Sequence, residues 1–233
     1  MRKIAISDIH GCCQTFKKLL ETLQLQKEDE LYLLGDYIDR GPESKQVIDH
    51  IWSLQRQGYQ VHCLRGNHEQ LMLNAREDFR KSRIWMINGG ETTMSSFNAS
   101  SLNEIDDKYW KFMEELPYYF EVDNYILVHA GLNFILEDPF EGKESMIWIR
   151  NWYGDIKKGW LEGKVIVHGH TVTESLKIAN SIQNFEEVPV IDIDAGCYVT
   201  ALPQYGHLCA FDLNSQQIYL QKNIDKMDVR FTM

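Results

Sequence analysis

The sequence has few of the features that mark disulfide-rich or linker-rich proteins. Its 233 residues include five cysteines, an odd number, and no pair of them has C-x-x-C spacing. That pattern is not typical of a disulfide framework or of a zinc ribbon, so we expect reduced thiols in a reducing compartment. The prolines are also few, five in all, and they are scattered rather than collected in a linker.

Long apolar runs and an excess of basic residues are missing as well. No stretch approaches the roughly 20 apolar residues that a membrane-spanning helix needs. Asp8 and His10 interrupt the apolar run near the N-terminus, so we expect no secretory signal and a cytoplasmic protein. The formal net charge is -10, whereas proteins that bind nucleic acids present a basic face to the phosphates. We therefore expect neither a membrane nor a nucleic acid as a partner.

Strand and helix patterns alternate over the first third of the chain, which favours a parallel β-sheet. Short apolar runs indicate strands at 3–7, 31–34 and 60–64. The pattern then becomes helical, with a helix predicted over 102–115, and strands return from residue 125 onward. We predict an α/β fold in a single domain, 1–233, with two packed mixed β-sheets flanked by helices and a helical insertion at about 82–117.

Polar residues cluster where the predicted strands end, which is where α/β proteins bind ligands. The strand exits carry SDIHG at 7–11, GDYIDRG at 35–41, RGNHE at 65–69, HAG at 129–131 and HGHT at 168–171. Each motif alone has a structural alternative, such as a helix-capping aspartate or a buried histidine. Their recurrence at successive exits is difficult to ascribe to chance, so we predict a common site.

Six side chains at these exits offer oxygen or imidazole ligands and no thiolate: Asp8, His10, Asp36, Asn67, His129 and His170. Such ligands suit Mn, Fe, Zn or Ni and disfavour a structural zinc site, and Mn is the ion that we expect. Six ligands exceed what one catalytic ion with open positions needs. We therefore predict two divalent metal ions bridged by Asp36, which lies between the two groups of ligands in chain order.

The charge of such a centre indicates the substrate. Two divalent ions outweigh the two aspartates and a bridging hydroxide, so the pocket attracts an anion even in an acidic protein. Paired ions about 3.5–4 Å apart clamp the attacking and leaving oxygens of a phosphoryl displacement and lower the pKa of bound water towards about 7. The sequence therefore predicts hydrolysis of phosphate esters in one step, by a hydroxide that bridges the two metals.

The same motifs resemble the phosphoprotein phosphatase family of the calcineurin-like metallophosphoesterases, in particular its bacterial and phage-lambda serine/threonine phosphatase branch. Further similarity lies in WMINGG at 85–90, IWIRN at 147–151 and IDAG at 193–196. The resemblance implies an αββα sandwich and activity on phosphoserine and phosphothreonine in proteins. It assigns to the first metal Asp8, His10 and Asp36. It assigns to the second metal Asp36, Asn67, His129 and His170.

The resemblance also implies roles for residues that do not bind metal. His68 is similar to the family's general acid, which protonates the leaving oxygen, and Asp39 to the carboxylate that orients it. A neighbouring carboxylate is expected to raise the pKa of His68 and keep it charged. Arg40, Arg65 and Arg150 match the arginines that hold phosphate oxygens, for which the planar guanidinium is well suited.

Two other functions remain open at this point. Hydrolases of dinucleoside polyphosphates use a similar site, and a catalytically silent metal-binding scaffold would share the ligands. Arg65 before GNHE, Glu69 after His68 and the WMINGG stretch favour the protein phosphatase, since dinucleotide hydrolases tend to show GNHD without that arginine. The intact ligands and His68 disfavour the scaffold. We expect a monomer that acts on a phosphorylated protein or a small phosphoester.

Overall fold

The first half of the chain consists of strand–helix units followed by a run of helices. A computed structural model describes residues 1–232. The strands of this half are β1 (Lys3–Ile6), β2 (Glu30–Leu33) and β3 (Gln60–Cys63). The helices are α1 (Cys13–Leu23), α2 (Ser44–Arg56), α3 (Asn67–Glu77), α4 (Phe79–Trp85), α5 (Glu91–Ser96) and α6 (Asp107–Glu115).

The second half is richer in strands. These are β4 (Tyr119–Val122), β5 (Tyr125–Val128), β6 (Val165–His168), β7 (Val190–Asp192), β8 (His207–Asp212) and β9 (Gln217–Lys222). Its helices are α7 (Lys143–Trp148), α8 (Lys158–Leu161) and α9 (Ser175–Asn184). Among residues 1–232, no helix has the length and apolar character that a bilayer crossing requires.

The strands form two mixed sheets, as the sequence predicts. The first sheet has the order β3-β2-β1-β8-β9, in which β1, β2 and β3 are parallel and β8 and β9 are antiparallel additions. The second sheet has the order β4-β5-β6-β7, with β5, β6 and β7 parallel and β4 antiparallel. The parallel strands of each sheet point their carboxyl ends to one edge, where the candidate residues follow.

The layers are held together by the alternation of side chains along each strand. In β1, Ile4 and Ile6 pack against the helices outside the first sheet. Ala5, between them, faces the second sheet and shares a cluster with Leu127 of β5. The neighbouring Ile126 points to the outer side of the second sheet. The fold is therefore a four-layer sandwich, with helices outside two facing sheets.

Two elements differ from the sequence prediction. The helix predicted over 102–115 begins only at Asp107, because the Asp106 carboxylate accepts a hydrogen bond from the backbone N–H of Lys108 and caps a new helix there. A short 3-10 turn, Leu102–Glu104, precedes it. The sequence analysis did not identify β4, whose residues pair with β5 to extend the second sheet.

A partly buried ion pair ties the start of the chain to the loop before β2. The Asp29 carboxylate accepts from the Arg2 guanidinium at 2.6 Å and from the backbone N–H of Arg2 and Gln26. Burial raises the pKa of Asp29, but these hydrogen bonds outweigh it and lower the pKa to about 2. We expect Asp29→Asn to reduce the free energy of unfolding at neutral pH by about 2 kcal/mol.

The pH dependence of this loss has a defined sign. Because the folded-state pKa of Asp29 is depressed, its stabilisation is complete above the ordinary aspartate value and disappears as the pH falls towards about 2. The free energies of unfolding of the unaltered protein and of Asp29→Asn, measured in urea, should therefore approach each other as the pH is lowered. Asp123→Asn is a matched control. Asp123 pairs with Lys3 but is 57% exposed, so its ion pair should contribute less than about 1 kcal/mol to the free energy of unfolding. Equal losses for both variants would refute the assignment.

Candidate metal centre

The six predicted ligands meet at the edge where the parallel strands of both sheets end. Asp8 and His10 follow β1, Asp36 follows β2, and Asn67 is the first residue of α3. His129 and His170 follow β5 and β6 of the second sheet. All six side chains are buried. The structure thus brings together residues that are up to 162 positions apart in the chain.

The backbone around this centre is strained. A positive φ between 46° and 72° is adopted by Asp8, His10, Asp36, Asp39, Arg40 and His170. Residues with a Cβ atom rarely adopt this left-handed conformation, and each such residue costs of order 1–3 kcal/mol. Strain of this kind persists at sites where the side chain must be aimed in one direction.

Two glycines allow the loops to approach each other closely. A Cβ atom on Gly66 would lie 2.1 Å from Oδ1 of Asp36, and one on Gly169 would lie 2.0 Å from Oδ2 of Asp8. The same Oδ2 accepts hydrogen bonds from the Ser7 hydroxyl and from the backbone N–H of His170. The loops of the two sheets are therefore in direct contact through the Asp8 carboxylate.

The ligand atoms form two groups that share Asp36. Its Oδ2 lies 3.5 Å from Nε2 of His10 and 3.5 Å from Nε2 of His129. In the second group, Oδ1 of Asn67 lies 2.9 Å from Nε2 of His129 and 2.8 Å from Nδ1 of His170. Ligands bound to one ion at about 2.1 Å are themselves about 3 Å apart. The spacing therefore fits a pair of metal ions bridged by Asp36.

The histidine tautomers also fit metal binding. Nδ1 of His10 lies 3.0 Å from the carbonyl oxygen of Ile38, and Nδ1 of His129 lies 2.9 Å from that of Leu34. Donation of Nδ1–H to a carbonyl leaves Nε2 unprotonated, with its lone pair directed towards the Asp36 carboxylate. Metal-binding histidines in proteins are commonly held by this kind of second hydrogen bond.

The carboxylates of the centre need positive charge nearby. Burial raises the pKa of Asp36 well above its ordinary value, and the charges of Asp8 and Glu69 add to the increase. Buried like charges are costly unless cations or hydrogen bonds offset them. Divalent ions at the shared carboxylate would provide that charge, so both the donor set and its electrostatics fit metal ions.

His68 lies beside the ligands but has different partners. Its Nδ1 is 2.7 Å from Oδ2 of Asp39, and its Nε2 is 4.0 Å from Oδ2 of Asp36. Asp39 in turn accepts hydrogen bonds from the indole N–H of Trp85 at 3.0 Å and from the Thr93 hydroxyl at 2.6 Å. A buried chain of hydrogen bonds therefore fixes the direction of the His68 ring.

The expected increase in the pKa of His68 is wrong for this structure. Burial lowers the pKa of His68 well below its ordinary value, and the positive charge of Arg40 lowers it further. Burial also raises the pKa of Asp39 well above its ordinary value, against the Thr93 hydrogen bond. The sequence indicated the pairing of the two residues but not their complete burial, and burial dominates the proton affinities of both.

The arginines that were predicted to hold phosphate do not share one environment. Arg40 lies 2.7 Å from Nε2 of His10 and 4.2 Å above the ring of Tyr198. Arg150 donates at 3.1 Å to the hydroxyl of Thr171, the residue that follows His170. Arg65 instead donates to Gln70, to Tyr118 and to the carbonyl oxygen of Glu114. The structure therefore brings Arg40 and Arg150 to the centre but engages Arg65 elsewhere, because its guanidinium turns towards the α6–β4 connection.

Several residues that support the centre were not assigned a role from the sequence. Glu69 accepts hydrogen bonds from the backbone N–H groups of Asp36, Tyr37 and Gly66 and so joins the loops after β2 and β3. Trp85 holds Asp39, and Gly90 allows that indole to pack, since its Cβ would lie 2.6 Å from the ring. The motifs RGNHE and WMINGG contain these residues, so the sequence indicated that they matter but not which role each of them has.

His168, two residues before His170, is buried outside the ligand groups. Its Nε2 lies 2.6 Å from the Tyr153 hydroxyl and its Nδ1 lies 2.8 Å from the carbonyl oxygen of Gly169. Burial lowers its pKa to about 4. These contacts agree with a structural role for a neutral imidazole below the loop that carries His170.

Residues 1–218 match the family model described as calcineurin-like phosphoesterase. A curated relative from Geobacillus sp. (strain WCH70), "Bis(5'-nucleosyl)-tetraphosphatase PrpE [asymmetrical]", is 28% identical, and the alignment covers 82% of this chain and 84% of that protein. A "Bis(5'-nucleosyl)-tetraphosphatase, symmetrical" from Pseudomonas putida (strain W619) is 30% identical over 57% of this chain and 43% of its own length. These names do not support the protein phosphatase branch expected from the motifs.

Solved structures show the same fold at low sequence identity. A protein serine/threonine phosphatase from Saccharomyces cerevisiae has a TM-score of 0.70 at 14% identity, covering 98% of this chain and 82% of that chain. A putative diadenosine tetraphosphatase has a TM-score of 0.63 at 19% identity, covering 94% of this chain and 92% of that chain. Because both protein and nucleotide phosphatases share the sandwich, the fold alone does not select a substrate.

Proposed function

This chain belongs to the calcineurin-like phosphoesterase family, and from that premise we propose that it hydrolyses dinucleoside tetraphosphates with the help of two divalent metal ions. The observation that carries the two-metal centre is the position of the Asp36 carboxylate, 3.5 Å from both His10 and His129. The substrate rests on the curated tetraphosphatase relative that covers 82% of the chain.

In this proposal each group of side chains has a separate role in hydrolysis. Divalent ions at the ligand groups, Mn being our expectation, would lower the pKa of water and neutralise phosphate charge. Arg40 and Arg150 hold phosphate oxygens as water adds to phosphorus and the bond from phosphorus to the leaving oxygen breaks. His68 gives a proton from Nε2 to that leaving oxygen. The negative charge of the phosphate favours the protonated imidazole, against the burial and the Arg40 charge that otherwise lower the pKa of His68. Asp39 and Trp85 keep the imidazole in the orientation that this transfer needs.

A protein phosphatase acting on phosphoserine and phosphothreonine is the second candidate function. The motifs RGNHE and WMINGG favour it, and they contain Glu69 and Trp85, which support the metal loops and Asp39. The arginine of RGNHE was part of the sequence argument for this function. Because Arg65 is bound to Gln70 and Tyr118, that part of the argument is weaker than the sequence suggested.

One assay separates the candidates. Purified protein with Mn is offered diadenosine tetraphosphate, a phosphoserine peptide and p-nitrophenyl phosphate, with His68→Asn protein as the control for contaminating enzymes. We expect kcat/KM for the dinucleotide to exceed that for the peptide by at least about tenfold, a difference of about 1.4 kcal/mol in transition-state stabilisation. The reverse preference would establish the protein phosphatase instead. Failure to hydrolyse any of the three would favour the scaffold.

A further inference from the structure

A cavity lies beside the metal centre, and of the residues in its lining only Arg150 has a role in the chemistry described so far. Its volume is about 440 Å³, within the range of roughly 300–1,000 Å³ that is common for ligand pockets. Its lining includes Trp148, at the end of α7, and Arg150. The Trp148 ring lies edge-on to the ring of His170, with centroids 6.3 Å apart. The cavity therefore opens directly next to the second group of ligands.

The lining combines an open aromatic face with apolar and acidic groups. Trp148 is 38% exposed and Ile135, also in the lining, is 81% exposed. Part of the Trp148 side chain is therefore accessible to a ligand in the cavity. The carboxylates of Glu144 and Asp155 line the same cavity, where they can accept hydrogen bonds from exocyclic amines and repel phosphate.

Arg150 connects this cavity to the phosphate site. Its guanidinium donates at 3.1 Å to the hydroxyl of Thr171, which directly follows His170 in the chain. A ligand with an anionic end and a flat, amine-bearing end would therefore lie with its phosphate towards Arg150 and its ring on Trp148. A nucleotide has both ends, and bases stack on aromatic side chains in proteins.

We propose that this cavity is a nucleoside subsite in which Trp148 stacks on the base of the nucleotide whose phosphate lies at the metal centre. The proposal rests on the proposed function only in taking a nucleotide as the ligand. The short separation between Trp148 and His170 places the base within one ribose and one phosphate of the centre, which suits a nucleoside monophosphate unit.

Binding rather than turnover provides the test. Calorimetric titration of the Mn-loaded protein with AMP and with ribose 5-phosphate isolates the contribution of the base. We expect AMP to bind about tenfold more tightly, since stacking of one base changes affinity by roughly five- to 150-fold. In Trp148→Ala this ratio should fall to about two or less, whereas Trp148→Phe, which keeps an aromatic face, should retain most of it.

Phe79→Ala is the matched control, because Phe79 is an aromatic residue that is 88% exposed and is not in the lining of this cavity. The ratio of its affinities for AMP and for ribose 5-phosphate should equal that of the unaltered protein. Equal binding of AMP and ribose 5-phosphate, no binding of either, or an unchanged ratio in Trp148→Ala would overturn the subsite. If the ratio behaves as expected but diadenosine tetraphosphate is not hydrolysed, the subsite stands and the proposed substrate fails.

Discussion

Replacing His68 by asparagine is expected to lower kcat on a phosphoester with a basic leaving oxygen by between about 100-fold and 10,000-fold, the range for loss of a general acid. Asparagine can still form a hydrogen bond with Asp39, which lies 2.7 Å from Nδ1 of His68, but its amide N–H groups are too weakly acidic to protonate the leaving oxygen. Nε2 of His68 lies 4.0 Å from Oδ2 of Asp36, farther than the 3.5 Å of His10 and His129. Because we assign His68 to the acid and not to the six ligands, the metal content of the variant should equal that of the unaltered protein.

The dependence on the leaving group distinguishes an acid from a merely structural residue. p-Nitrophenolate leaves without protonation more readily than an alkoxide, so His68→Asn should lose less activity on p-nitrophenyl phosphate than on a phosphoester with a basic leaving group. His50→Asn is the matched control, since it removes an imidazole on α2 and should keep full activity. Loss of metal from His68→Asn, or an equal loss on all substrates, would contradict the acid role.

Replacing Asp36 by asparagine is expected to impair binding of both metal ions and to lower kcat/KM by more than about 1,000-fold, since both the nucleophile and the charge neutralisation depend on the ions. The variant keeps one oxygen acceptor but loses the negative charge that lies 3.5 Å from both His10 and His129. Elemental analysis after reconstitution and dialysis measures the effect directly.

Asp192→Asn is the matched control for this prediction. Asp192 is buried in the same region, and burial together with the charge of Asp194 raises its pKa well above the ordinary value. It lies outside both groups of ligands, and its carboxylate accepts hydrogen bonds from the Thr173 hydroxyl and from the backbone N–H of Asp194, so its replacement should leave metal binding intact. Retention of two metal equivalents in Asp36→Asn would contradict the bridge, whereas loss from Asp192→Asn as well would show a general disturbance.

The positions of the six candidate metal ligands could be predicted from the sequence because they depend on a general property of the fold. Parallel strands deliver the residues that follow them to one edge, so the exits after β1, β2 and β3 had to converge. The exits of β5 and β6 belong to a second sheet. Their meeting with the first depends on how Ala5 and Leu127 pack between the sheets, which the pattern of one chain does not define.

The environment of each side chain was less predictable than its position. The pKa of His68 moves opposite to the expected direction because burial outweighs its aspartate neighbour, and the burial of a side chain depends on how the whole chain packs around it. Arg65 has the residue type that suits phosphate, but its guanidinium reaches Tyr118 and Glu114. The motif defines the backbone of that loop and not the rotamer of its arginine.

The most direct measurement is the number of metal ions that each chain binds. The protein is stripped of metal with a chelator, titrated with Mn and assayed for hydrolysis at each addition. It should bind two equivalents of Mn, and its activity should rise as both ion positions at the Asp36 carboxylate become occupied. This result is predicted because Asp36 lies equally close to a ligand histidine of each group. Full activity with one equivalent, or with none, would contradict the two-metal centre.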